Sequence, residues 1–365
     1  MIEADVAVIG AGIAGVGTAH ELAADARVVI LEQEREPAYH TTGRSAAMFL
    51  ESYGGERVRA LTEASRVAFE RVGTLLRPRP LLWLRNPAET PDHDVAGGAT
   101  LRPVTPAEAT DLCPALRPEW TAGALLEPDA QEIDVLGLHQ HFLGGARRAG
   151  VRVELNARVG TGRRDGEKWH LETTAGPVRV RAVVNAAGAW ADAVATKLGA
   201  KPVGLTPMIR TALVARSATV DQGWPLVSDL AETFYFRPEG TGLLISPADE
   251  TPAEPHDARP EDLTVAMALE RVNAATTLDL RSVLTAWAGL RTFAPDRDPV
   301  VGADPDAPAF CWLAGLGGFG IQTAPALARL AADAVAAALA GAADPVPGSL
   351  SARRFRADLP TLPTV

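Results

Sequence analysis

Apolar and polar positions along this chain fall into runs of two kinds. Val6–Ile9 and Val28–Leu31 are unbroken apolar tetrads, the pattern of strands buried on both faces of a parallel sheet. Between them a helix is predicted from Ile13 to about Ala24. Val58, Leu61, Ala64, Ala68 and Val72 recur at helical spacing, which predicts an amphipathic helix from Arg57 to about Leu76. Arg77-Pro78-Arg79-Pro80 breaks it, and a short strand is expected at Leu81 to Leu84. Asn86 to Pro103 is rich in Pro, Gly and acid and reads as a surface loop. Thr105 with Glu108 three residues on is a capping box for a short helix, and Asp134 caps a longer one from Val135 to about Ala149. Val151 to Leu155 reads as a strand, and Trp169–Thr173 with Val178–Val184 as a hairpin returning to the sheet. Alternation over Pro202 to Val214 and Thr233 to Ile245 predicts β structure. A Pro/acid loop (Pro247 to Asp262), a helix (Leu263 to about Thr276) and strands at Ser282 to Phe293 and Phe310 to Ala314 follow. An alanine-rich helix comes next, and the tail from Pro345 is expected to be loose. Both ends are thus α/β in character, and the middle is β-rich.

Three small-residue turns stand out against this pattern. Gly10, Gly12 and Gly15 form G-x-G-x-x-G between the first strand and helix, and Glu32 ends the second strand 22 residues after Gly10. The first glycine makes the tight turn, the second lets a pyrophosphate reach the backbone, and the third lets helix and strand pack. The helix N-terminus favours an anion. A carboxylate at Glu32 can accept from ribose hydroxyls and repels a 2′-phosphate, so NADP is disfavoured. The motif by itself suits NAD and FAD equally. Ala186-Ala187-Gly188 and Gly315–Gly320 are the other two turns, and Thr41-Thr42-Gly43 offers a possible second anion-binding turn, with Ser45 to Met48 expected to open a helix.

Bulk properties narrow the class further. The 365 residues are 47% hydrophobic and 22% charged, as in a globular chain long enough for two domains. The net charge of −10 argues against a polyanionic partner such as nucleic acid. No basic leader precedes the glycine motif and no long uncharged apolar run occurs. The expectation is therefore a cytoplasmic protein without a signal peptide or a spanning helix. The two cysteines, Cys113 and Cys311, lack metal spacing and are expected to be buried free thiols; no metal site is expected.

Five motifs together give the chain a likeness. These are the glycine motif with Glu32, YHTTGRSAA at Tyr39–Ala47, VNAAGAWAD at Val184–Asp192, WAGLR at Trp287–Arg291 and GGFGIQT at Gly317–Thr323. In their order and spacing the chain resembles the D-amino-acid oxidase superfamily of FAD enzymes, and within it the bacterial D-arginine dehydrogenase-like members. The resemblance implies non-covalent FAD, since the cysteine that carries flavin in sarcosine-oxidase relatives has no counterpart between Gly289 and Asp296. It implies an α/β fold with a discontinuous Rossmann-like FAD domain (1–76, 134–201 and 294–365). A substrate domain (77–133 and 202–293) would be α+β around a mixed or antiparallel sheet.

The resemblance also assigns residues. FAD would be held by Gly10, Gly12, Ile13, Ala14, Gly15, Glu32 and Gln33, by Thr42, Gly43, Arg44, Ser45, Ala46 and Ala47, and by Val159, Ala187, Gly188 and Trp190. Gly317, Gly318, Phe319, Gly320, Ile321, Gln322 and Thr323 would start a helix facing the flavin pyrimidine. Arg291 and Arg210 would bind a substrate carboxylate, with Tyr235, Tyr53 and Gln322 assisting and Met48, Leu81 and Gly318 forming the pocket. D-arginine dehydrogenases carry polar or acidic residues where this chain has Met48 and Leu81. A neutral or apolar D-amino acid is therefore expected, losing hydride from Cα to flavin N5; the imino acid product hydrolyses to keto acid and ammonia. The same arginines would serve an N-alkyl amino acid or a 2-hydroxy acid. A flavin-binding subunit without its own chemistry is a further alternative. The electron acceptor is not readable from the sequence.

Overall fold

The computed structural model describes residues 1–86, 101–217 and 219–356. Its first sheet has six strands in the order Arg152–Glu154, Val28–Leu31, Val6–Ile9, Ala182–Asn185, Phe310–Ala314 and Val300–Ala303. The first five are parallel and the last is antiparallel. Helices Ile13–Leu22, Val135–Arg148 and Ala324–Ala340 share an apolar core with one face. The other face packs on a four-stranded sheet (Ile2–Glu3, Gly176–Val180, Lys168–Thr173 and Val159–Asp165) and on the helix Ala191–Lys197. Burial on both faces is why these strands read as continuous apolar runs.

The second sheet has nine strands. Its spine is the antiparallel pair Thr206–Arg216 and Val283–Phe293, each 11 residues long. Strands Gly242–Ser246, Tyr235–Glu239, Leu226–Asp229, Leu81–Leu84, Ala124–Glu127 and Arg102–Val104 extend the sheet from Thr206–Arg216. Thr251–Pro252 pairs with the same strand inside the expected Pro/acid loop. One face is covered by helices Asp262–Ala275 and Pro106–Leu112. The other borders a cavity against the first unit. A three-stranded sheet of Met48–Phe49, Gln131–Ile133 and Leu76–Pro78 joins the two.

Local signals are realised where the contacts are local. Thr105 and Glu108 form the full capping box, and Asp134 accepts from the Gly137 amide at 2.8 Å. Four expectations are corrected. No helix opens at Ser45: Thr41–Arg44 makes a single 3-10 turn and Met48–Phe49 is a strand. The threonines reach to other elements: Thr42 Oγ1 accepts from the Ile13 amide at 3.0 Å and Thr41 Oγ1 donates to Leu290 O at 2.7 Å. The helix expected to reach Leu76 stops at Val72, where Gly73 takes a left-handed C-cap at φ 73. Val178–Val184 is two strands in two sheets, split at Arg181, whose amide donates to Asp5 O at 2.9 Å. The tail is held down: Ser351 and Ala352 are buried, Arg354 pairs with Asp296, and Arg356 reaches the buried Asp304. The loop expected over Asn86 to Pro103 lies largely outside the described residues; within them, Arg102–Val104 is a strand.

Candidate active site

Two chambers meet at the glycine turn. The smaller, about 850 Å³, is lined by Gly10, Gly12, Glu32, Gln33, Val159, Ala187, Gly188 and Trp190, with His40 and Tyr39. The larger, about 1570 Å³, runs from Gly12, Ile13 and Ala14 past Thr42 and Arg44–Ala47 to the nine-stranded sheet. Gly12, Thr41, Thr42, Ala186 and Gly188 line both. Together they form one long slot past the N-terminus of Ile13–Leu22.

The glycine turn is shaped by close contacts. Gly10 has φ 104, and a Cβ there would lie 2.5 Å from Ala186 O; a Cβ on Gly15 would lie 1.9 Å from Gly10 O. Glu32 is buried at the end of its strand, where its carboxylate accepts from the amides of Ala11 (2.6 Å) and Glu34 (2.9 Å). His139 contacts Ala11 O from beneath at 2.9 Å. Burial depresses the His139 pKa.

The far end of the larger chamber is one face of the nine-stranded sheet. Arg210 lies opposite Gly289, two residues before Arg291, so both guanidinium groups rise from the same face. Leu81 and Trp83 pair with Leu226 and Ser228, and Ser228 pairs with Tyr235. Successive alternate residues therefore build a continuous wall. Met48, Leu50, Leu81, Trp83 and Leu226 make it apolar, with Tyr53 and Tyr235 packed on them.

The two arginines are not equivalent. Arg210 donates to Asp249 O (2.8 Å) and to Glu250 (3.1 Å). Burial and the repulsion of Arg291 lower its pKa. Arg291 has no ion pair among the described residues. Burial works against its charge, the neighbouring Tyr53 and Tyr235 oxygens favour it, and its pKa is raised. A Cβ on Gly318 would lie 2.8 Å from Arg291 Nη1, so the glycine leaves room for the guanidinium. Burial holds the Tyr53 phenol above its ordinary pKa, with Arg291 pulling the other way, so the phenol is neutral and protonated.

The expected residues divide by what they touch. Gly317, Gly318, Gly320, Ile321 and Gln322 line the larger chamber with Met48, Leu81, Tyr53, Tyr235, Arg210 and Arg291. Gly15, Gly43, Phe319 and Thr323 line neither chamber. Gly43 approaches Ala38 O, Phe319 packs against Tyr53 (ring centroids 5.0 Å apart), and Thr323 bonds Phe319 O at 2.9 Å. Gln322 is buried, and its amide is spent on Leu50 N (3.2 Å), Leu50 O (3.4 Å) and Thr62 Oγ1 (2.8 Å). These bonds fix it in the wall. Arg44 turns its guanidinium away to Asp257, Ala258 O and Ala288 O.

Sequence reading missed Glu232, Trp83 and Leu226, which also line the larger chamber. Trp83 could have been found from period-two alternation with Leu81, whereas Leu226 is on another strand and comes beside Leu81 only through their pairing. Glu232 sits in a turn, and no sequence signal points to it.

The slot fits FAD. Its backbone cradle would be filled by a Cβ at Gly10, the buried carboxylate of Glu32 lines it beside that turn, and it spans two chambers. Neither cysteine lines it. Among the described residues no cluster of His, Cys, Asp or Glu is placed to hold a metal. No helix among them is long and apolar enough to cross a membrane.

Comparisons with known proteins agree. The pattern of the FAD dependent oxidoreductase family (DAO) matches residues 5–334. Mitochondrial dimethylglycine dehydrogenase of Rattus norvegicus is 25% identical over 370 residues, covering 90% of this chain and 42% of its own length. This chain therefore spans well under half of that relative. Among solved structures, L-proline dehydrogenase from P. horikoshii superposes with TM-score 0.82 at 22% identity, covering 97% of this chain and 98% of its own. Glycine oxidase from Geobacillus kaustophilus gives TM-score 0.82 at 23% identity, covering 96% and 98%. None of these three is a D-arginine dehydrogenase. With a family match over nearly the whole chain and a slot cut for its cofactor, this protein belongs to the FAD dependent oxidoreductase family and binds FAD.

Proposed function

We propose that the chain oxidises a small amino acid carrying one carboxylate and an apolar substituent. The observation that carries this is Arg291: a partly buried cation, lining the larger chamber beside its apolar wall, with no ion pair among the described residues. A held cation without a carboxylate partner is open to one, and a substrate carboxylate would complete it. Arg291 presents a fork that fits a carboxylate bidentately. Arg210, neutralised by Glu250, steers the second oxygen. The Tyr53 and Tyr235 hydroxyls would donate to the same carboxylate, and the apolar wall excludes water from the reacting carbon. Bound FAD, held non-covalently, supplies the acceptor for the hydride leaving the carbon attached to nitrogen. The resulting imine adds water and releases its amine.

The likeness to dimethylglycine dehydrogenase favours an N-alkyl amino acid. The apolar wall of Met48, Leu81, Trp83 and Leu226 equally accommodates the side chain of an apolar D-amino acid, which is the second reading. The site residues named above and the two-domain division belong to this proposal. The test is anaerobic bleaching of the flavin by N-methylated, D- and L-amino acids and 2-hydroxy acids. Bleaching by N-methyl amino acids supports the first reading, and by D-amino acids the second. Bleaching by hydroxy acids alone, or by nothing, refutes both.

A further inference from the structure

Glu232 is the single carboxylate among the residues lining the larger chamber. It is presented by a turn with little freedom. Its amide donates to Asp229 O at 3.0 Å, and Asp229 Oδ1 accepts from the amides of Thr233 (2.7 Å) and Phe234 (3.1 Å). Ser228 Oγ ties Phe234 O at 3.1 Å, and Arg271 reaches from the covering helix to Thr233 O and Pro247 O. Glu232 itself sits at φ 50, a conformation a glycine would take more readily.

The charge count of the chamber follows. Arg210 is matched by Glu250. Once a substrate carboxylate matches Arg291, Glu232 is left as the one unmatched charge facing the remaining space. The rest of that wall is apolar. We propose that Glu232 sets the charge of the substrate's distal end, favouring a basic or neutral group and rejecting a second carboxylate. This rests on the carboxylate-binding role proposed for Arg291. Burial raises the Glu232 pKa, with Arg210 and Arg291 pulling it back, which places the acid within electrical reach of both. The residue is also solvent-exposed, so screening limits the effect to about tenfold, or ~1.4 kcal/mol.

The experiment titrates the FAD holoenzyme with three chains of matched length: valerate, glutarate and δ-aminovalerate. Binding is read from the flavin absorbance. The expected order is δ-aminovalerate tightest and glutarate weakest. Glu232→Gln should shrink the ratio of glutarate to δ-aminovalerate Kd by about tenfold, and Glu232→Lys should invert it, with valerate moved little in either. A ratio unchanged in both variants overturns the inference while leaving the clamp intact. Arg291→Met reports the clamp separately: if it binds all three ligands as well as the parent protein does, the functional reading fails. Failure of the parent protein to bind any of the three overturns both.

Discussion

Replacing Arg291 by methionine separates function from stability. Methionine keeps much of the side-chain volume and needs no counter-charge. What the substitution removes in the free protein is the favourable contact of the guanidinium with the neighbouring Tyr53 and Tyr235 oxygens, about 1 kcal/mol. Against this it relieves the desolvation of a cation without an ion pair, several kcal/mol for a fully buried ion and less here, because Arg291 keeps some exposure towards the cavity. The two nearly cancel, so Tm of the FAD-loaded protein should change little. The loss appears when substrate binds. A forked, charge-assisted contact to a carboxylate contributes about 3 kcal/mol, roughly a hundredfold in KM. The assay pairs anaerobic flavin bleaching, read as a function of substrate concentration, with thermal unfolding at saturating FAD. A fall in Tm of more than about 4 °C, equivalent to a kcal/mol or more at this size, with KM unchanged would show that Arg291 braces the fold and binds nothing.

Three further outcomes follow from the geometry. Gly15→Ala puts a Cβ 1.9 Å from Gly10 O; the turn must open at a cost of about 1–3 kcal/mol, and flavin-fluorescence titration should show FAD bound at least about tenfold more weakly, whereas unchanged affinity would mean the turn is plastic. Glu127 is buried beside Ser52, and burial raises its pKa above that of the unfolded chain. Its contribution is therefore present below the unfolded pKa and lost as pH rises through the folded one; Glu127→Gln should raise Tm at about pH 8 and change it little at about pH 4, and equal shifts at both would contradict the assignment. Arg356→Ala strands the fully buried Asp304 carboxylate, which keeps only the bonds from Trp312 Nε1, Asp306 N and Ala307 N; a loss of about 3 kcal/mol should lower Tm by several degrees, and no change would return the tail to the loose state expected from its composition.

The parts of the fold legible in the sequence are those in which neighbours in the chain are neighbours in space. The strand, glycine turn, helix and acid from Val6 to Glu32 need only local packing and one adjacent strand. The same is true of the capping box at Thr105 and the cap at Asp134. The misreadings share the opposite cause. Met48–Phe49 looks like the start of a helix until Glu132 and Gln131 arrive to pair with it. The run Val178–Val184 has one hydrophobic pattern but serves two sheets. The tail has few apolar residues, yet its arginines meet acids more than 50 residues away.

The active site divides in the same way. The sequence by itself made the glycine turn and its acid legible, because backbone approach is written as glycine. It also supplied Arg210, Arg291 and the tyrosines as candidates, through motifs in fixed order. Only the tertiary structure decided which arginine is already neutralised, that Gln322 is spent on Leu50 and Thr62, and that Glu232 enters the chamber. Charge balance depends on distances between side chains on separate strands and turns. Those distances are set by sheet register, and a linear pattern of residue types does not encode them.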